Sequence, residues 1–523
     1  MRLYNPSEAS AEWVSDNSYP TNKLLNRMHL LVHRVATIEL VMVFRTSQMN
    51  SCMMHNQVSK RQNISFLFGQ DTSLDCNMQV LSSSISFTTC GGRLTLTKSV
   101  LSALPAHLMS CIKLPQWVLE EIERLLRAFF WKGKSSAKGS NCLVAWDHVT
   151  RSFEEGGLEI RNMKIQNSCL LTKFIHMMHT EPNSPWAKWV MAAHLHGKDI
   201  GDFSSLQTIA WKQVSEFIDL YRSVTCVQLG DGMTTSLWKD KWTSNGPFCT
   251  QFPALYSHTN RPNISVADCW NFRVWSLHLK HITSDQAEQE RTMLISFLNS
   301  CTLDPLAQDK RGWRMNPSEN FSVRNLYMLC NWGGNECGGV SSIWKCAAPK
   351  NGKIFAWLML KGRIKVRTVL LKQNIVNNDQ CPFGCQEKET VRHFVFECCH
   401  TKLILNKLGI QMDMYVELQD IFVEAKKRTP KNKMQAWDII IIAIYWTIWL
   451  SRNRMVFDDI ETPIDMVAKQ CADLVRLWML RASRKEKEAA MIWRLANLIV
   501  STFFPLLFLP CMCKTLSWLR SFF

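Results

Sequence analysis

The feature that most restricts this 523-residue chain lies between residues 381 and 398. Cys381-Pro-Phe-Gly-Cys385 is followed after seven residues by His393 and after four more by Cys398, a C-x3-C-x7-H-x4-C spacing. Three thiolates and one imidazole form the ligand set of a closed structural zinc site. A short first loop lets two sulfurs reach one tetrahedral ion, and Pro382 and Gly384 suit a tight turn there. Lys388 and Arg392 lie close enough in sequence to help keep the thiolates deprotonated. Cys399 and His400 follow at once, so the spacing leaves the fourth ligand open between Cys398 and these two neighbours. A full protein ligand set leaves no position for water, so the expectation is one structural zinc ion and no catalytic metal. The competing reading is a chance gathering in a helical hairpin, since the chain holds 20 Cys and 14 His. Binding would add folding free energy to a segment with a small core.

Charge points to a partner class. Lys and Arg exceed Asp and Glu by 17, a basic excess that favours polyanions, nucleic acid first and anionic membrane second. Much of it is local. Residues 345–372 hold Lys345, Lys350, Lys353, Lys361, Arg363, Lys365, Arg367 and Lys372, and no Asp or Glu. Ile354, Phe355, Trp357, Leu358 and Leu360 interleave with these cations, and the pattern predicts two short helices broken at Gly362. One reading is a solvated face balancing Glu387, Glu389 and Glu397. The other is phosphate contact beside a zinc knuckle by Lys361, Arg363, Lys365 and Arg367, with Lys353 and Lys372 adding to it. Trp344, Phe355 or Trp357 would then stack on bases, although their helical spacing equally suits a core.

Hydrophobic residues at 46% and charged residues at 20% exclude wholesale disorder, collagen and a multispan membrane protein, and the length suggests about three domains. The cysteines are scattered along a long chain, unlike a secreted disulfide scaffold. No secretory pattern opens the sequence, since His33, Arg34 and Glu39 interrupt the first apolar stretch.

Residues 1–95 carry no motif and are expected to be weakly ordered. Beyond them, Val118, Ile122, Leu125 and Phe129 share one face of a helix over 116–131, opened by Pro115. Residues 154–157 read as a turn, and 165–179 and 284–298 as helices. Gly230-Asp231-Gly232 predicts a hairpin turn between strands within 224–242, and a second hairpin is expected around 316–320. The apolar run 439–450 is too short for a membrane span and predicts a buried helix over 434–457. The uncharged stretch 495–513 is long enough to span, but Pro505 and Pro510 interrupt it. It is read as acquired non-native sequence in preference to an anchor.

Several of these residues in order resemble one family. Ser342-Ile-Trp344-Lys-Cys, Pro349-Lys, Lys353-Ile-Phe355-Ala-Trp357-Leu, Arg363, Arg367, Leu370-Leu371 and the Cys381, Cys385, His393, Cys398 set look like the zinc-binding region of plant non-LTR (LINE-type) retrotransposon reverse transcriptases. Upstream, Lys98-Ser-Val-Leu-Ser-Ala-Leu-Pro105, Met109-Ser-Cys-Ile-Lys-Leu-Pro115, Phe130-Trp131, Ala145-Trp146-Asp147 and Glu155-Gly-Gly-Leu158 resemble the segment after the polymerase domain. Leu229-Gly-Asp-Gly232 with Leu237-Trp238-Lys-Asp240-Lys-Trp242 resembles a further motif, and 446–457 with Arg452-Asn453-Arg454 resembles the family's tryptophan-rich helix. The resemblance covers about residues 95–460. Its one departure is Cys-x3-Cys where two intervening residues are common. It implies a remnant without the polymerase's paired aspartates, the nicking endonuclease or a recognisable RNase H domain. Phe457-Asp458-Asp459 superficially resembles the end of the catalytic signature but is read as a charged helix end.

Other signals are weak. Gly133-Lys134-Ser135 lacks the glycine a phosphate loop needs at position 128. His176 with His179, and His194 with His196, are read as exposed helical histidines and not as metal pairs.

The expectation is thus an α+β, helix-rich chain with a small zinc-binding helical domain and short β-hairpins. Its parts are 1–95 unassigned, 96–330 helical and hairpin, 340–405 zinc-binding, 406–490 a helical tail and 491–523 apolar. The expected function is binding of RNA or single-stranded DNA, without catalysis, in the nucleus or cytoplasm. The alternative is a protein-interacting or inert relic in which zinc only holds the fold; a membrane location through 495–513 is less favoured. Nothing in the sequence fixes an oligomeric state.

Overall fold

The computed structural model describes residues 89–488, apart from 138, 193–212, 272–273, 317–318, 335–336, 411–416, 424–435 and 485–486. The unassigned stretch up to 88, His194, His196 and the apolar 495–513 lie outside the described residues. The architecture is α+β and helix-rich, with two small antiparallel two-stranded sheets among the described residues.

The largest core forms around the helix Trp437–Phe457. Every residue from Ile439 to Tyr445 is 0% exposed, so this helix is buried on all sides, as the short apolar run predicts. It is long and apolar enough to cross a membrane, yet its place here is central in the core. Asp458 caps its end and, with Asp459, is exposed, which matches a charged helix end. A helix apolar all round needs partners all round. Lys350–Leu360 supplies Phe355, which meets Trp446 and Trp449 at ring-centre distances of 5.3 and 5.8 Å. Ile464–Met479 closes another side, and Gly352 permits the approach, because a Cβ there would lie 2.8 Å from the Trp478 ring. One contiguous core therefore joins segments within 90–163, 340–410 and 421–482. The stretch anticipated as a tail after residue 405 shares its core with the zinc region.

Residues 90–95, expected to be weakly ordered, belong to a helix. Cys90–Leu96 is a helix, capped by the Thr89 side chain, which accepts from Gly92 N at 3.2 Å. Gly91-Gly92 lowers helix propensity and hides this element in the sequence. Packing explains Gly91: its N–H donates to Asn351 Oδ1 at 2.7 Å, and a Cβ would stand 2.6 Å from that oxygen. Arg93, buried, donates from Nε to the Phe130 carbonyl at 2.8 Å. It thereby satisfies the end of the helix Gln116–Lys132, which Pro115 opens and the left-handed Gly133 stops. Val118, Ile122, Leu125 and Phe129 are all buried, as their spacing requires.

The expected hairpin at Gly230-Asp231-Gly232 does not form. Thr225–Gln228 pairs instead with Lys310–Trp313, antiparallel, with Thr225 opposite Trp313 and Gln228 opposite Lys310. The glycine loop wraps the buried Asp309. Its carboxylate accepts from Gly230 N (2.8 Å), Gly232 N (3.0 Å), Thr234 N (3.1 Å) and Thr235 Oγ1 (2.7 Å). With Thr234 Oγ1 at 3.1 Å, five donors held by a distant acid outweigh a local two-residue turn, a tertiary effect that sequence spacing does not reveal. Around 316–320 the turn is present, with Trp313 N donating to Glu319 O at 2.9 Å, but it leads to one isolated bridge between Gly312 and Asn320.

The same region overturns the reading of His176 and His179 as exposed. Both lie on the inner side of Met163–Thr180: His176 Nδ1 is 2.9 Å from the Tyr221 hydroxyl, and the buried His179 stacks on the Tyr221 ring. Burial holds His176 down to about 4 and His179 well below its usual range, with Arg311 adding to both. The nearby Asp240 joins Arg222 (3.2 Å) and Arg311 (2.7 Å), all three buried. Burial alone would push its carboxyl up; the two guanidinium groups outweigh that and hold it well below its ordinary 3.8. A depressed acid stabilises fully above its unfolded value and loses that contribution as pH falls. We expect Asp240→Ala to cost about 3–5 kcal/mol in urea unfolding at neutral pH, by leaving buried cations unpaired. The gap to the parent should narrow below pH 3.8; a gap independent of pH would contradict the ion-pair account.

Candidate metal centre

Three short segments bring the predicted ligands together. Residues 379–389 fold back on themselves: Cys381 N donates to Glu387 O (2.8 Å) and Glu389 N to Asp379 O (2.7 Å), and Gln380 bridges Lys388. Gly384, at φ +76°, makes the tight turn expected of Cys381-Pro-Phe-Gly-Cys385, and Gln386 is also left-handed at +57°. The wide helical turn His393–Glu397 starts where Thr390 Oγ1 accepts from His393 N at 3.0 Å. It closes with Cys398 N on His393 O at 2.8 Å, which brings two ligands five residues apart to one side. Cys398 then heads the helix Cys399–Lys407.

Cys381 Sγ, Cys385 Sγ, a His393 ring nitrogen and Cys398 Sγ all lie within 4.8 Å of one another. Cys381 and Cys385 stand 3.8 and 3.9 Å from Cys398, sulfur to sulfur. Zinc–sulfur bonds of about 2.3 Å at tetrahedral angles place sulfurs about 3.8 Å apart, so these edges match. Both nitrogens of the His393 ring are buried without a hydrogen-bond partner, and a metal bond would remove that expense at one of them. Glu397 Oε2 lies 3.9 Å from Nδ1, on the side from which a carboxylate orients a ligand imidazole. The donor set fits one zinc ion.

The start of the helix Cys399–Lys407 provides the local electrostatics. Cys381 donates to Cys398, and the backbone N–H groups of Thr401 and His400 also favour the Cys398 thiolate, so its thiol is held well below the usual range. Cys399 N donates to Cys385 Sγ at 3.3 Å. Lys388 pairs with Asp379 (3.2 Å) and Arg392 with Glu397 (3.4 Å), so carboxylates hold both cations that the sequence suggested for the thiolates. Neither rival fourth ligand belongs to the four-atom group. Cys399 is exposed and outside the four-atom group, and His400 stacks on Phe383 at 3.9 Å with ring planes 4° apart.

Sequence reasoning missed the clamp beneath this centre. Glu389 is buried and receives Arg452 Nε on Oε1 at 2.7 Å, while Oε2 takes a second Arg452 nitrogen and Arg367 N at 2.6 Å. Arg452 is wholly buried, lies over the Trp449 ring and bonds Asn453. Glu389 is therefore committed to the core and does not serve as a surface counter-charge. The acid–base pairing had no signal in the sequence beyond the family-like Arg452-Asn453-Arg454.

The basic stretch divides. Gly362, at φ +65°, ends the first helix as expected, with Arg363 N on Leu358 O at 2.8 Å. Ile364 and Val366 then point inward, while Arg363 is exposed and Lys365 and Arg367 are half-buried. Arg367 donates to Gln380 O at 3.1 Å, next to Cys381, and begins the second helix Arg367–Lys372, whose last residue is exposed. Lys361 Nζ lies by Gly156, and Lys353 Nζ donates to Trp344 O at 2.8 Å. Phe355 and Trp357 are buried and Trp344 stacks on Phe153, so the expected base-stacking role of Phe355 and Trp357 gives way to core packing.

The sequence profile describing the zinc-binding region of reverse transcriptases matches residues 321–404. Residues 321–404, which include Cys381, Cys385, His393 and Cys398, are thus similar to a reverse-transcriptase zinc-binding domain. It is 26% identical over 320 residues to a putative ribonuclease H protein of Arabidopsis thaliana, over 59% of this chain and 50% of that protein. The chain thus spans half the length of that relative. An uncharacterized mitochondrial protein of Arabidopsis thaliana is 24% identical over 143 residues, 27% of this chain and 92% of that protein. A 25-residue stretch is 76% identical to beta-galactosidase 6 of Oryza sativa subsp. japonica, 5% of this chain and 3% of that enzyme, too little for a folding unit.

Proposed function

We propose that this protein binds RNA or single-stranded DNA through the basic segment that the zinc centre anchors, and that it has no polymerase activity of its own. Cys381, Cys385, His393 and Cys398 are the zinc ligands in this reading, and the zinc is structural. The observation that carries the proposal is the alternation over 363–367. Ile364 and Val366 are buried, Arg363 is exposed, Lys365 and Arg367 stay half-buried, and the last cation is tied to the carbonyl beside the first zinc ligand. Lys132, from the end of a distant helix, lies close enough to disfavour the Lys365 ammonium, whose charge burial already penalises. A bound phosphate would relieve both costs. Lys361 and Lys372 flank the row, and Lys353 acts as a positioning residue through Trp344 O.

The test is salt-dependent binding of an unstructured RNA. Changing Lys361, Arg363, Lys365 and Arg367 together to Ala should weaken binding and flatten log K against log salt by about 0.7 per lost phosphate contact. RNA binding equal to the parent's would remove the proposal. The second reading, a protein-interacting relic in which zinc only stabilises the fold, draws on the same structure, because Phe355 and Trp357 are core residues and leave no base platform there. Intact zinc binding with no salt-sensitive RNA binding would select it.

A further inference from the structure

Cys399 stands outside the four-ligand set but against it. Its Sγ lies 3.1 Å from Cys385 Sγ, and its backbone N–H donates to the same sulfur at 3.3 Å. That separation is shorter than the 3.8 and 3.9 Å from Cys398 Sγ to Cys381 and Cys385, so Cys399 touches a ligand sulfur from outside the four-atom group. Exposure adds a second constraint. Cys381 and Cys398 are buried, Cys385 is partly exposed and Cys399 is exposed, so a small oxidant in water meets this sulfur pair first. The contact is also braced. Cys399 Sγ is 3.7 Å from Phe383 O, and Phe383 stacks on His400, which fixes the 381–385 loop against the start of the helix Cys399–Lys407. A disulfide needs sulfurs at about 2.05 Å, so closure asks for a shift of about 1 Å.

We propose that Cys385 and Cys399 form a peroxide-reactive disulfide site on the rim of the zinc centre, and that closing it takes one ligand from the metal. The proposal rests on reading Cys385 as a zinc ligand. In the first step the Cys385 sulfur attacks one oxygen of hydrogen peroxide. The O–O bond breaks, hydroxide leaves and a sulfenic acid forms. In the second, the Cys399 sulfur attacks the sulfenic sulfur, the S–O bond breaks, and the oxygen departs as water with the Cys399 proton. The hydroxide takes a proton from solvent. Two thiol sulfurs lose two electrons in total, and one peroxide becomes two waters. Cys381, His393 and Cys398 would remain to hold a zinc ion, with a weaker grip.

The experiment uses the zinc-loaded full chain, hydrogen peroxide, a chromogenic chelator to follow released zinc, and tandem mass spectrometry to locate the bond. The parent should release zinc and gain a Cys385–Cys399 linkage, and a dithiol reductant with added zinc should reverse both. Cys399→Ser should load zinc like the parent, form no bond at Cys385 and release zinc about tenfold more slowly, since oxidation then lacks its resolving thiol. Release at the parental rate from Cys399→Ser, or a bond that joins other cysteines, overturns the proposal. If Cys399→Ser fails to hold zinc before oxidation, Cys399 is itself a ligand and the site as stated is wrong. A parent that holds no zinc at the outset instead defeats the underlying metal reading.

Discussion

Changing Cys381 to Ser, or His393 to Ala, is expected to lower bound zinc from one ion per chain to nearly none, and to unfold the region around it. The loop 379–389 is held by its own backbone turns and by little apolar packing, so the metal supplies the missing cohesion. Structural zinc binds with an apparent free energy of about 10–16 kcal/mol in small zinc-dependent folds, and losing one of four ligands removes most of the advantage over solvent. Unfolding should stay local. Phe394, on the wide turn that carries His393, packs edge-on against Trp449 at 5.5 Å, and Tyr445 bonds Val395 O at 3.3 Å. Those contacts are lost with the turn, whereas the packing of Trp437–Phe457 against Lys350–Leu360 and Ile464–Met479 does not involve the metal. Metal content by mass spectrometry, with hydrogen exchange, gives the readout. Fast exchange should appear over 379–400 and stop short of the central helix. Both variants retaining a full equivalent of zinc would exclude these residues as ligands.

Arg452→Ala should be among the most damaging changes outside the metal centre, at about 3–5 kcal/mol, because it strands the buried Glu389 carboxylate. The pair is bidentate and both side chains are almost fully enclosed. Each partner comes from a different side of the expected boundary at 405, so the cost also measures how far the zinc region and the following helix are one unit. Glu389→Ala should cost a similar amount, and the double variant much less than the two together, as neither charge is then left alone. Additive losses in denaturant unfolding would show that the two groups do not depend on each other. A further consequence concerns the basic row. Glu389 also accepts Arg367 N, so either single variant should loosen the start of the second basic helix and weaken zinc and RNA binding together.

Periodicity and spacing were dependable where a local rule suffices. Val118, Ile122, Leu125 and Phe129 mark a helix face through a repeat of 3.6. Gly362 marks a break because a left-handed residue there costs least in glycine. The same local rules failed at Gly230-Asp231-Gly232, where the deciding acceptor, Asp309, lies more than seventy residues away. They failed again at Gly91-Gly92, where poor helix formers are tolerated because a second helix must come close. His176 and His179 were misread for a related reason, since helical spacing does not say which face is buried.

What the sequence determined on its own was the chemistry of the centre. Three sulfurs and an imidazole within eighteen residues can meet only if the chain turns tightly between them, and the glycine needed for that turn is in place. Placing Cys398 and not Cys399 in the four-atom group, turning Trp357 into the core, and joining the zinc region to the last helices through Glu389 and Arg452 were decided by tertiary packing. Each of those outcomes depends on which groups are removed from water by segments distant in sequence, and burial of that kind has no local pattern from which it can be read.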